Sequence, residues 1–233
     1  MNIKMLKAAV AGLVLSVSGF SNAALIDLSS WAGTSGGNWV VDGTNTSVLQ
    51  TNNGQPTYFL SDTNYINTLF DGTFGVETTS DDDFIGFVFG YNNSSDFLLF
   101  DWKQANQSTA SSGFTLSKIT GTDVDFWSHT GSDITVLATD YVGNNGWADN
   151  TIYDFTLDFT TTGISIDIDS INIFNVAGTF NTGKFGFYNY SQSNVRYTGF
   201  EEAISPTLDV PEPSTLAIFA LGIMGLAARR FKK

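Results

Sequence analysis

From residue 57 to residue 200, short runs of Phe, Val, Ile, Thr, Trp and Tyr alternate with polar residues, between clusters of Gly, Asn, Asp and Ser. Strand side chains point alternately to two faces, so this period of two predicts β-strands; no stretch sustains the 3.6-residue period of a helix. The predicted strands are 57–60, 69–78, 84–91, 97–104, 113–120, 134–138, 153–159, 163–168, 171–176, 184–190 and 194–200. Residues 34–54, rich in Gly, Asn and Thr, add loops around one or two more. So many strands without helices predict an all-β sandwich or barrel.

Two stretches show how the sheets should sit. In 153–169, Tyr153, Phe155, Leu157 and Phe159 share one face, 160–163 turns the chain, and Ile164, Ile166 and Ile168 line the return strand. The opposite face carries Asp154, Thr156, Asp158, Ser165, Asp167 and Asp169, the pattern of a sheet with one wet side. By contrast, 84–91 is apolar on both faces, which predicts a central, covered strand; Gly86 and Gly90 share a face across which a neighbour should lie.

The two ends read as addresses rather than fold. Lys4 and Lys7 precede the apolar stretch 8–17, and Ser21, Asn22 and Ala23 are small residues of the kind a signal peptidase reads, so 1–23 is expected to be a signal peptide cleaved after Ala23. At the other end Pro211, Glu212 and Pro213 precede an apolar run, 216–228, and the basic tail 229–233. That order resembles the PEP-CTERM sorting signal of Gram-negative bacteria. The resemblance implies a short membrane helix, recognition by an exosortase, and delivery to the cell envelope, surface or extracellular matrix of an exopolysaccharide-producing cell. The apolar run is shorter than the ~20 residues that span a bilayer comfortably, although flanking Lys and Arg can extend its reach. Residues 206–233 are thus expected to be a sorting signal and 24–205 one exported domain.

Removing the ends sharpens the charge. The domain retains four cations, Lys103, Lys118, Lys184 and Arg196, against 21 acids, a formal −17 where the whole chain has −13. Such a field repels nucleic acid and anionic lipid and favours divalent cations. There is no cysteine, so no disulfide stabilises the domain.

From Phe70 onward the chain resembles the lectin-like C-terminal domain of thrombospondins. The resemblance rests on Phe70-Asp71-Gly72-Thr73-Phe74, on 81–91 with its three aspartates and Phe-rich strand, and on Trp102-Lys103-Gln104. It continues through 127–131, through Gly146-Trp147-Ala148-Asp149, and through the strand 185–190. It implies a concanavalin-like jelly roll of two antiparallel sheets, and calcium binding. The chain departs from the pattern in having no cysteine, in carrying Asp101 at a usually apolar strand position, and in lacking the calcium-repeat array. The adhesive partners of animal thrombospondins are not carried over.

Chemistry is expected at two loops. Asp81, Asp82 and Asp83 repel one another unless a cation or solvent intervenes, and Ca2+ takes six to eight hard oxygens in flexible geometry. The cluster is either a calcium site, completed by Asp149, or a solvated acidic turn. The loop 140–149 carries Asp140, Asn144, Asn145 and Trp147, the carboxylate, amides and ring that a carbohydrate site uses, while Trp147 also suits a packed strand-end anchor. Trp102, on an alternating strand, reads as core. His129 is the only histidine, which supplies neither zinc nor a Ser-His-Asp triad and points to a local hydrogen bond. Glycosidases need two positioned carboxylates, and Glu77 is the only Glu between 24 and 200, so no catalytic residue is assigned. The sequence thus predicts a non-enzymatic, calcium-binding, lectin-like adhesion or matrix protein; a structural matrix protein without a ligand and a divergent glycosidase are the alternatives.

Overall fold

The computed structural model describes residues 24–143 and 145–204. The sequence-predicted signal peptide with Ala23, and 206–233 with Pro211, Glu212 and Pro213, lie outside them, as does Asn144. The strands are β1 Ala24–Leu25, β2 Ala32–Gly33, β3 Trp39–Val41, β4 Ser47–Gln50, β5 Thr57–Tyr65, β6 Thr68–Val76, β7 Phe84–Asn93 and β8 Asp96–Lys103. They continue as β9 Gly113–Ile119, β10 Ile134–Asp140, β11 Ile152–Phe159, β12 Gly163–Ile168, β13 Ile171–Ala177, β14 Gly183–Tyr190 and β15 Val195–Ile204. Among the described residues a single 3-10 turn, Leu28–Ser30, interrupts them, and no helix is long and apolar enough to cross a membrane.

All pairings are antiparallel, in two sheets. One runs β13-β12-β11-β6-β15-β4-β3 with β1 joined to β15; the other runs β10-β9-β8-β7-β14-β5-β2. They stack face to face as a jelly roll, and the alternation foreseen in the sequence decides what fills the gap. Phe155, Leu157 and Phe159 of β11 and Ile164 and Ile166 of β12 meet Phe87 and Phe89 of β7, Phe100 of β8 and Phe185 and Phe187 of β14. Each such side chain, once buried, contributes roughly 1.5–3 kcal/mol of transfer free energy. Ring contacts add direction, as where Phe87 stacks on Phe100 at 4.7 Å between centroids. Trp102, read as core, is 4% exposed.

β7 is apolar on both faces because both are covered. Its second face, with Phe84 and Val88, joins Phe97, Leu99, Ile119, Tyr58 and Tyr188 in a separate cluster. The cover is the β9–β10 connection, a strap over 120–133 that lays Phe126 and Trp127 on this face. The close neighbour of Gly86 lies beside it in the sheet rather than across the face: a Cβ there would sit 2.1 Å from the carbonyl oxygen of Phe100 on the paired strand β8, whereas a Cβ at Gly90 would meet the Phe159 ring at 3.4 Å.

Asp101 is fully buried under the strap, where its Oδ2 lies 2.8 Å from Nε2 of His129. Burial alone would lower the His129 pKa, but the charge and hydrogen bond of Asp101, with help from Asp125, outweigh it and raise the value. The local hydrogen bond expected of the only histidine is therefore an ion pair that fastens the strap to the sheet.

Candidate functional site

The acidic cluster lies just before β7. Ligand oxygens of Asp81, Asp82 and Asp83 all fall within 4.8 Å of one another. Into this cluster β8 delivers a cation that sequence reading missed. Lys103 closes β8 directly across from Phe84, and its side chain is wholly buried. Its Nζ donates to Asp83 Oδ1 at 2.8 Å, to Asp82 Oδ1 at 3.2 Å and to the Asp82 carbonyl at 3.0 Å. Trp127 and Phe84 complete the cage, with Nζ 4.7 and 5.3 Å from their ring centroids.

One lysine does not neutralise three carboxylates. Asp81 stands apart from it, accepting from Asn53 Nδ2 at 2.7 Å and from the Asp82 amide at 3.2 Å. Its pKa is raised, first by burial and then by the nearby charge of Asp83. The donor set is all oxygen and short of positive charge, which suits a hard divalent cation beside Asp81. Asp149 is held elsewhere: its Oδ1 accepts from Gln104 Nε2 at 3.1 Å, next along the chain from Lys103.

The second loop is tied to the first. Trp147 is 2% exposed, and its Nε1 donates to the carbonyl of Asp83 at 3.0 Å. It therefore offers no ring face to a ligand, which corrects the reading of Trp147 as a stacking platform; it is the anchor that fixes the loop against the acidic cluster. Gly146 is required beside it, since a Cβ would fall 1.7 Å from the Gln104 carbonyl oxygen. The Asn145 carbonyl accepts from Trp102 Nε1, and the Ala148 amide donates to the Tyr153 hydroxyl at 2.8 Å.

These bonds shape a cavity of about 350 Å3 at the β10–β13 side of the sandwich. Asp140 and Asn145, two of the residues expected to bind sugar, line it together with Trp102, Tyr153, Asp169 and Ile171, which were not among them. Tyr153 is half-buried and Ile171 is 66% exposed, so the mouth is partly apolar. Carboxylates and an amide beside an aromatic and aliphatic wall can bond hydroxyls along one edge of a ring and pack on its face. Of the missed residues, Trp102 and Tyr153 come from β8 and β11, while Asp169 and Ile171 belong to the β12–β13 hairpin, whose turn at Asp169 has φ +50, a local feature that the alternation pattern does not encode.

Fold and site together define a lectin-like jelly roll with an acidic cluster braced against the 140–149 loop. The family described as the thrombospondin C-terminal region matches residues 34–204, and the chain belongs to that family. The PEP-CTERM protein-sorting motif matches residues 209–233. Cartilage oligomeric matrix protein of Bos taurus is 30% identical over 200 residues, covering 73% of this chain and 26% of that protein. Thrombospondin-3b of Danio rerio is 30% identical over 187 residues, covering 68% of this chain and 20% of that protein. The chain thus spans about a quarter or less of these relatives. Among solved structures, the carbohydrate-binding module CBM66 from Bacillus subtilis is similar with a TM-score of 0.56 at 10% identity, covering 78% of this chain and 97% of that one. The exoplasmic domain of VIP36, bound to Ca2+ and Man3GlcNAc, has a TM-score of 0.54 at 11% identity, covering 78% and 87%. At such identities these two structures show the fold alone.

Proposed function

We propose that the protein is an exported, non-enzymatic, lectin-like component of the cell surface or extracellular matrix, in which Ca2+ held at Asp81–Asp83 braces a carbohydrate-binding loop. The observation that carries this reading is the bond from Trp147 Nε1 to the Asp83 carbonyl, reinforced by Gln104 to Asp149, because it joins the cation cluster to the loop bearing Asp140 and Asn145. When bound, Ca2+ supplies the positive charge that Asp81 lacks. The chain's own part is to hold the cavity open and present Asp140, Asn145 and Asp169 to hydroxyls. Net gain per hydroxyl bond is about 1 kcal/mol, so single sites bind weakly and a matrix of many copies supplies avidity.

The sorting motif supports a route in which signal peptidase cleaves after Ala23 and an exosortase reads Pro211-Glu212-Pro213, with the apolar run holding the chain transiently in the inner membrane of a Gram-negative cell. The relatives named as matrix proteins support the destination. Lys103 favours a second reading, since it gives the cluster a cation of its own and leaves room for a purely structural matrix protein.

The test is retention of the domain 24–205 on the host's exopolysaccharide, with calcium and with chelator. Retention that chelator and Asp140→Asn both abolish supports the lectin reading; no retention in either condition supports the structural one. Hydrolysis of the polysaccharide would overturn the non-enzymatic assignment.

A further inference from the structure

A second hollow lies on the outer face of the eight-stranded sheet, just past the end of the 140–149 loop in the chain but lined by none of the residues of the first cavity. In register, Gly75 of β6 sits between Ile152 of β11 and Arg196 of β15. With no side chain at the centre of that row, the sheet forms a trough of about 400 Å3, lined at its ends by Thr73, Thr198 and Asn150. A Cβ at Gly75 would meet the Thr151 carbonyl oxygen at 2.5 Å, so backbone as well as side chains borders the floor. One wall is aliphatic, with Ile152 74% exposed. The other is the only arginine of the domain, paired through Nε and Nη2 with both oxygens of Glu77 and through Nη1 with Ser47 Oγ at 3.3 Å.

The charge of this wall decides the ligand class. A free arginine in so acidic a domain would select an anion, but Glu77 already fills the guanidinium fork. What remains is a planar, neutral pair whose side chains are 37% and 46% exposed and which presents donors and acceptors side by side. Adjacent ring hydroxyls, each both donor and acceptor, match such an edge, and the apolar face of the same ring matches Ile152. We propose that this trough is a second carbohydrate subsite, selective for neutral pyranoses and independent of calcium. It shares the ligand class of the lectin-like reading but none of its residues, so each can fail alone.

The test uses the domain 24–205 in chelator, with methyl pyranosides of glucose, galactose and mannose as probes and NMR of the Ile152 methyl and Arg196 Nε–H as readout. Saturable shifts at both positions are expected for at least one neutral sugar. Ile152→Asp, at an exposed position that leaves folding intact, should weaken binding at least ~10-fold, Arg196→Lys should weaken it by removing the fork, and Asp140→Asn should leave it unchanged. Absence of saturable shifts, shifts that survive Ile152→Asp undiminished, or tighter binding of methyl glucuronide than of any neutral sugar would each overturn the proposal. If sugar binds only when calcium is added and only while Asp140 is intact, the trough is excluded and the ligand loop stands.

Discussion

Two acidic loops flank the strapped face of the seven-stranded sheet and solve the same electrostatic problem in different ways. In the strap, Asp123, Asp125 and Asp133 turn their carboxylates back onto their own loop. Asp125 accepts from the Trp127 and Ser128 amides and the Ser128 hydroxyl, Asp123 from the amide and hydroxyl of Ser132, and Asp133 from the amides of Thr122 and Asp123. The Asp123 and Asp125 pKa values are lowered, chiefly by the serine hydrogen bonds. At Asp81–Asp83 the donors are mostly side chains from elsewhere in the fold, Asn53 to Asp81 and Lys103 to Asp82 and Asp83, and the Asp81 pKa is raised instead. A loop whose carboxylates are saturated by its own donors needs no ion; a loop whose three carboxylates share one cation retains affinity for another.

The largest test of that contrast is Lys103→Met. It strands the buried Asp83 and the partly buried Asp82, and removal of one partner from such a group costs about 3–5 kcal/mol, read by urea denaturation in chelator. Calcium should recover more stability in this variant than in the parent. An unchanged midpoint would show that Lys103 is not the internal counterion.

His129→Leu comes next, because it strands only Asp101, already lacking a donor at Oδ1; the loss should fall toward the lower end of the same ~3–5 kcal/mol range. In the parent, the raised His129 pKa fixes the pH dependence. Its contribution is fully present below the unfolded value of 6.5 and is lost as pH rises through the higher folded value. Melting temperature should therefore fall on the alkaline side of 6.5 in the parent, and this component should vanish in His129→Leu.

Calcium itself should add about 2.7 kcal/mol at 100 times its dissociation constant. Asp81→Asn should remove most of that increment, while Asp167→Asn on the wet hairpin should not. Identical melting curves in calcium and chelator would end the calcium assignment. The smallest effect is expected at Asp125→Ala, about 1 kcal/mol or less for exposed hydrogen bonds, with no change in the calcium response.

Much of the fold was legible because the period of two is imposed by burial. Tyr153 to Ile168 gave its hairpin, and the two-faced apolar run at 84–91 announced a covered central strand before the cover was known. β5 runs on to Tyr65 through Ser61, Asp62, Thr63 and Asn64, polar residues that no pattern marks as strand, because β14 pairs with them at Asn64 and Tyr65. Glu77 was included in a strand and instead leaves the sheet to meet Arg196. At the site, Asp81–Asp83 and the 140–149 loop were visible as residue types. Lys103 was not, since a lysine on an alternating strand ordinarily extends its ammonium into water. Its position on the same face as Phe97, Leu99 and Asp101 was the available signal, because a face covered by a strap leaves no water to reach.

The strap also makes the domain lopsided in its dealings with other copies. Closing one broad face leaves the eight-stranded sheet as the open broadside, and there Asp71, Asp154, Asp158 and Asp167 occupy outward positions of neighbouring strands. Two copies meeting face to face on that side double the row of carboxylates, so they behave as like-charged plates whose approach is set by counterions. At ~0.15 M ionic strength the repulsion decays over ~8 Å, and concentrating divalent ions between the plates shortens the reach further. The spacing of such molecules in a hydrated gel is then a property of the surrounding salt as much as of the protein, and hydration of the gel follows with it.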